Sequence, residues 1–282
     1  MLRPDGLPPH LADLERTLVM GVLNVTPDSF SDGGKFDQEE VAIAHGLLMA
    51  AEGADIVDVG GESTRPGAGR ISVQQELDRV IPVVSALATQ GVAVSIDTMR
   101  ADVAHAALDA GAVVVNDISG GKADPAMLAL MADVDTPYIL MHWRGASDVM
   151  ATLTDYDDVA RDVSRELAEQ VDAAVSAGVL RTRIAIDPGI GFAKTPDQNW
   201  PILAQVDVLD ELNLPVLWGV SRKRFLGELL ADGGELRDFD GREDATTALT
   251  TYLALAGAWC VRVHNVRASR DAVEVVARID RG

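Results

Sequence analysis

Eight times along this chain, a short run of β-branched and aliphatic residues gives way to a polar loop and then to a segment of helical period. The runs are LVMGVLNV (18–25), DIVDVG (55–60), VAVSID (92–97), VVVND (113–117), YILMH (138–142), IAID (184–187), PVLWGV (215–220) and CVRVHNV (260–266). Each is nearly continuous in Val, Ile and Leu, as a strand buried on both faces must be. Eight strand–helix units in 282 residues match one TIM barrel, whose usual size is about 250 residues. A doubly wound sheet also alternates, but it should carry a Gly-rich turn after its first strand. That place holds NVTPDSF. The expected fold is therefore α/β, a single (β/α)8 TIM barrel over residues 17–282, with residues 1–16 as a flexible N-terminal extension.

Helix punctuation supports the alternation. Asp37 with Glu40 reads as a capping box before VAIAHGLLMAA, with Gly53 as the stop. Ser72 with Gln75 opens another helix, ending near Gly91. Asp124-Pro125 places a cap before proline, and 155–177 reads as a long amphipathic helix closed by Gly178.

Composition removes several classes of function. No apolar run is long enough to span a membrane, and the first residues lack the apolar core of a secretory signal. Cys260 is the single cysteine, which excludes an intrachain disulfide and a Cys-rich metal site. A cytoplasmic setting is expected. The net charge of −20 repels nucleic-acid backbones, so no nucleic-acid partner is expected, nor a membrane one.

Polar residues stand where the apolar runs stop: Asn24; Asp58 and Glu62; Asp97; Asn116 and Asp117; His142; Asp187; Ser221, Arg222 and Lys223; Arg262 and His264. In a barrel these positions converge on the C-terminal mouth, where the βα loops build the active site. Any one carboxylate there is an ordinary helix cap or loop acceptor. The whole set is not, because buried polar ends need partners. Asp97, Asn116 and Asp187 suit a flat heterocycle with an aminopyrimidine edge, since carboxylates accept paired N–H donors and Asn both donates and accepts. Arg65, Lys223, Arg262 and His264 suit phosphate or carboxylate groups. Asn24 is a neutral oxygen ligand suited to Mg²⁺ held mainly by a diphosphate and water.

Two polar loops, NVTPDSFSDGG (24–34) and GGESTRPGAGR (60–70), are long enough to act as lids over the mouth. GIGFAKT (189–195) fails as a phosphate-binding loop because Ala193 stands where glycine is required. His10, His45 and His105 have no zinc spacing, and the four tryptophans read as packing residues.

In order, GVLNVTPDSFSDGG, VDVGGESTRPG, SIDTMR, VNDISGG, DPGIGFAKT, SRKRF and RVHNV resemble the motif series of dihydropteroate synthases, most of all the actinobacterial members. The resemblance runs from about residue 20 to about residue 266. It implies condensation of 6-hydroxymethyl-7,8-dihydropterin diphosphate with 4-aminobenzoate to give 7,8-dihydropteroate and diphosphate, with Mg²⁺. It implies a pterin held by Asp97, Asn116, Asp187, Lys223 and Met141, and a diphosphate near Asn24, Thr64, Arg262 and His264. Aminobenzoate is implied near Pro66, Phe192, Ser221 and Lys223. Asp32 and Arg65, on the first two loops, join Asp97 and Lys223 as catalytic residues, and a homodimer is implied. Asn265 replaces the usual Asp after the RVH histidine and Ala193 a frequent Gly, which leaves the orientation of His264 to be settled. A methyltetrahydrofolate-dependent methyltransferase would share the pterin carboxylates but has no use for STRPG. A degenerate, non-catalytic paralogue would lack the loop residues, which are intact here.

Overall fold

The computed structural model describes residues 1–26, 35–62, 70–146 and 149–282. Eight parallel strands form one sheet: β1 (Leu18–Asn24), β2 (Ile56–Gly60), β3 (Val94–Asp97), β4 (Val114–Asp117), β5 (Tyr138–Met141), β6 (Ile184–Asp187), β7 (Leu217–Trp218) and β8 (Cys260–Val263). Their order is β6-β5-β4-β3-β2-β1-β8-β7. The ring nearly closes where Ile186 bridges Val216 and its N–H reaches the Pro215 carbonyl at 2.9 Å. The expected TIM barrel is the observed fold. Its helices are α1 (Pro9–Ala12), α2 (Lys35–Ala51), α3 (Val73–Thr89), α4 (Ala101–Asp109), α5 (Ala126–Asp133), α6 (Val159–Ser176), α7 (Asn199–Ala204), α8 (Asp207–Asp210), α9 (Arg224–Leu229), α10 (Glu243–Leu255) and α11 (Val266–Asp280).

Strand parity explains what faces what. Because side chains alternate across a strand, one set of each run (Val19, Leu23, Val57, Val59, Val94, Ile96, Leu140, Ile186, Val261, Val263) packs outward against the helices. The other set fills the bore. Its lower layer is apolar: Leu18, Met20, Ile56, Ala93, Val114, Ile139, Ala185, Leu217 and Cys260 form one buried cluster with Trp259. Two residues further along the same strands, at the same parity, stand Val22, Asp58, Ser95, Asn116, Met141, Asp187 and Arg262. On five of these seven strands, all but those of Val22 and Met141, the bore turns from hydrocarbon to hydrogen-bonding groups within a single step of about 6.6 Å.

Three expectations about the ends of elements change. Residues 1–16 do not stand apart from the barrel: Leu7 and Leu11 join its lower apolar cluster, and the Arg16 guanidinium forks onto Asp55 at 2.7 Å from each Nη. The leucines interleaved with the prolines cover a bore floor that would otherwise be wet. Helix α2 begins at Lys35, so Asp37 lies within it rather than at its cap. Helix α6 begins at Val159, capped by Asp158, rather than at 155. The Ser72–Gln75 capping box on α3 is present with both of its bonds.

Candidate active site

The upper layer of the bore is one connected polar cluster. Arg262, on β8, donates from Nε to Asp58 Oδ2 at 2.6 Å and from Nη2 to Asp97 Oδ2 at 2.7 Å. Asn116, on β4, donates to the same Asp58 oxygen at 3.0 Å. Asp58 is wholly buried, so its charge needs this company. Burial pushes the Asp97 carboxyl up to about 7, against the pull of Arg262 and with Asp58 adding to the rise. Burial works against the Arg262 charge too, but Asp58 and Asp97 outweigh it and hold the guanidinium above its ordinary value. Asp58 Oδ1 and the Ser95 hydroxyl are buried without a hydrogen-bonding partner among the described residues. The sequence separates an acidic, heterocycle-binding half from a cationic, diphosphate-binding half. The structure joins the two through Arg262.

Asp187 closes β6 and accepts the Gly189 N–H at 2.7 Å. Burial raises its pKa, opposed by that bond and by Lys223 and Arg262. Met141, the last residue of β5, pairs with it across the sheet. Lys223 lies over the Phe192 ring, 4.2 Å from its centroid. Burial lowers its ammonium to about 8, opposed by Asp187. Of the three cations in SRKRF, this one faces the mouth. Arg222 turns away through a left-handed backbone (φ +59°) to pair with Glu243, and Arg224 pairs with Glu228 along the surface of α9 at 2.7 Å.

Ser221 fixes His264. The Ser221 Oγ accepts the His264 backbone N–H at 3.2 Å and lies 2.9 Å from Nδ1. The hydroxyl, with one proton and a second lone pair, can serve Nδ1 in either tautomer, so it fixes the ring's position and not its proton. Asn265 does not orient the ring. Its side chain caps α11, accepting from Ala268 N–H at 3.3 Å, a role Asn and Asp perform alike.

Other strand-end residues serve the framework. Asp117, of outward parity, accepts from Ser119 N–H and Oγ, Gly121 N–H and Tyr138 Oη. Glu62 pairs with Arg100, which also holds Glu76 and the Ile71 carbonyl. Lys194, set aside with the failed phosphate loop, is buried beneath the mouth and bonded to His142. A lysine in a Gly-rich stretch with no acidic neighbour in sequence gave no sign of that burial. Asn24 ends β1, half-buried, level with Gly60. Asp32, Thr64, Arg65 and Pro66 lie outside the described residues, as does most of both expected lids.

Comparison with known proteins places this geometry. The profile of the pterin binding enzyme family matches residues 20–264. The dihydropteroate synthase of Mycobacterium leprae is 55% identical over 260 residues, 92% of each chain. That of Synechocystis is 46% identical over 93% of this chain and 89% of its own. Among solved structures, Xanthomonas albilineans dihydropteroate synthase with 4-aminobenzoic acid superimposes with a TM-score of 0.86 at 44% identity, covering 94% of each chain. The same enzyme in complex with 7,8-dihydropteroate gives 0.81 at 39%.

Proposed function

This chain belongs to the dihydropteroate synthase family of pterin binding enzymes, and from that premise we propose how its mouth joins the pterin diphosphate to 4-aminobenzoate, releasing 7,8-dihydropteroate and diphosphate. The observation that carries the assignment of roles is the polar layer itself. Asp97, Asn116, Asp187, Lys223 and Arg262 come from five different strands or strand ends and gather above an apolar floor.

The reacting carbon is a CH₂ flanked by an electron-rich pterin and a good leaving group, so departure of diphosphate runs ahead of attack. The site must hold the heterocycle, stabilise the cation that forms and neutralise the leaving anion. Asp187 takes paired N–H donors of the aminopyrimidine edge, and Asn116 supplies a donor and an acceptor beside it. Asp97 sets negative charge against the developing cation, with Asp32 joining it from the first loop. Arg262 and His264 bind the departing diphosphate, with Thr64. As the pterin occupies the carboxylates, Arg262 exchanges Asp97 for phosphate oxygens. Aminobenzoate stacks against Phe192, its carboxylate toward Lys223 and Ser221, with Pro66 and Arg65 closing the loop side. The arylamine is nucleophilic at neutral pH, so no strong base is required.

Mg²⁺ fits the donor set. Asn24 offers one neutral oxygen, and among the described residues no three carboxylates, histidines or cysteines gather into a site of their own. An ion carried in by diphosphate and water, and steadied by Asn24, matches that arrangement; when bound it supplies charge neutralisation at the leaving group.

No described helix is long and apolar enough to cross a membrane, and we place the enzyme in the cytoplasm. A homodimer is supported by Tyr252 and Leu255 on α10 and by Val275 and Ile279 on α11. These apolar side chains are exposed on adjacent helices, a surface suited to a twofold contact.

The test is an assay of diphosphate release from the pterin diphosphate with 4-aminobenzoate and Mg²⁺. Release dependent on aminobenzoate is expected. Release unaffected by omitting it, or none at all, would overturn the reading.

A further inference from the structure

A buried lysine lies just outside the substrate-facing residues. Lys194 Nζ donates to the Gly189 carbonyl at 3.0 Å, to the Phe192 carbonyl at 3.0 Å and to His142 Nδ1 at 3.1 Å. All three N–H donors are thus spent on neutral acceptors, and no carboxylate among the described residues is hydrogen-bonded to it. Placing a cation there costs desolvation that a neutral residue would avoid.

The acceptors explain its presence. Because His142 Nδ1 accepts from Lys194, the ring proton is on Nε2 and donates to Glu166 Oε2 at 2.9 Å. Arg144 clamps the same carboxylate through Nε at 2.9 Å and Nη2 at 2.6 Å. His142 is fully buried, and burial, with Lys194 adding to it, lowers its pKa to about 4, consistent with a neutral ring. A continuous polar chain therefore runs from Arg144, by way of α6 and the end of β5, to two carbonyls of the β6 loop. Those carbonyls belong to residues that bracket substrate-facing groups. The Gly189 N–H holds Asp187, and the Phe192 ring lies against Lys223. Between Phe192 and Lys194 the backbone is left-handed at Ala193 (φ +48°), a conformation an L-residue adopts only when held there.

We infer that Lys194 is a positioning residue of this enzyme. It fixes the Gly189–Phe192 loop from beneath, and so sets the wall against which the aminobenzoate ring packs, without itself touching substrate. The inference rests on the reaction and on the aminobenzoate subsite proposed above. A merely structural lysine would on removal reduce the amount of active enzyme and lower kcat without moving KM. A positioning lysine moves KM, because Lys223 and Arg262, which carry the charges facing substrate, remain in place.

The experiment is steady-state kinetics of Lys194→Met beside the parent, varying each substrate in turn. The expected result is a KM for aminobenzoate raised about tenfold or more, with kcat at saturation within about threefold of the parent. The KM for the pterin diphosphate should rise less, since Asp187 keeps its strand position. Where the Met variant is insoluble, Lys194→Gln, which keeps an N–H donor without the charge, is measured in the same way. An unchanged KM for aminobenzoate, or a fall in kcat with both KM values unchanged, would overturn the inference. So would failure of both variants to fold, which would assign Lys194 to stability. Absence of turnover in the parent would instead strike at the proposed reaction, so the two failures are distinguishable.

Discussion

Replacing Arg262 by Met removes a charge of similar reach and leaves two carboxylates facing each other in the bore. Two charge-assisted bonds go, at 2.6 and 2.7 Å, and Asp58 is wholly buried with only Asn116 still donating to it. Breaking a buried ion pair from one side costs about 3–5 kcal/mol. The cost must also depend on pH, with a definite sign. The folded pKa of Asp97, about 7, lies above the ordinary 3.8, so the folded state holds that proton more tightly and stability falls as pH rises between the two values. In the parent the fall is complete just above pH 7. Arg262 is a group that holds the value down; without it the folded value moves up and the fall continues through pH 8. Urea unfolding of parent and variant at pH 6 and pH 8.5 measures the gap at each. It should reach about 3 kcal/mol at pH 8.5 and be smaller at pH 6 by at least about 1.4 kcal/mol, the worth of one pKa unit. A gap below about 1 kcal/mol at pH 8.5 would show the cluster to be solvated rather than buried. A gap that narrows as pH rises would show that Asp97 is not the group Arg262 restrains.

Asp187→Asn should keep the fold, since an amide oxygen still accepts the Gly189 N–H, yet weaken a pterin analogue by about 1.5–3 kcal/mol in calorimetric titration; equal affinity would refute its role. Lys223→Met should abolish diphosphate release while Arg224→Met, on the surface of α9, leaves it near the parent level; equal losses would remove the distinction. Ala193→Gly relieves a left-handed alanine that costs about 1–2 kcal/mol, offset by about 0.4–1 kcal/mol of chain entropy, so thermal unfolding should show it no less stable than the parent. Aminobenzoate titrated with and without Mg²⁺-diphosphate should bind at least about tenfold more tightly in its presence; equal affinities would show that its subsite needs no leaving group in place.

The barrel was legible because buried parallel strands leave near-continuous apolar runs, and eight of them admit few arrangements. The mouth residues were legible at the ends of those runs for the same reason. Sequence order does not reveal which acid meets which base across the bore. Arg262 and Asp58 are 204 positions apart yet hydrogen-bonded, and nothing local to either marks the pairing. Asp117 and Asp58 read alike as strand-end acids. Only parity against neighbouring strands turns one toward the helices and the other into the bore. Residues 1–16 misled because their prolines and charges outweigh four leucines in composition, while in space Leu7, Leu11 and Leu14 meet an apolar floor.

That one-step change from hydrocarbon to polar layer has a consequence for how altered forms of this enzyme will behave. Along β8, Cys260 lies in the floor, Arg262 in the polar layer, and Val261 and Val263 against the helices. A damaging substitution at Cys260 or Val261 should lower the quantity of folded protein and leave each surviving molecule competent. One at His264, just past the strand, should leave the molecules abundant and inert, whereas one at Arg262, which also holds the buried Asp58, should lower both yield and competence. Loss of yield and loss of skill would thus part company within a few residues of one strand and its end. A folding chaperone or a stabilising background could rescue the first kind and never the second.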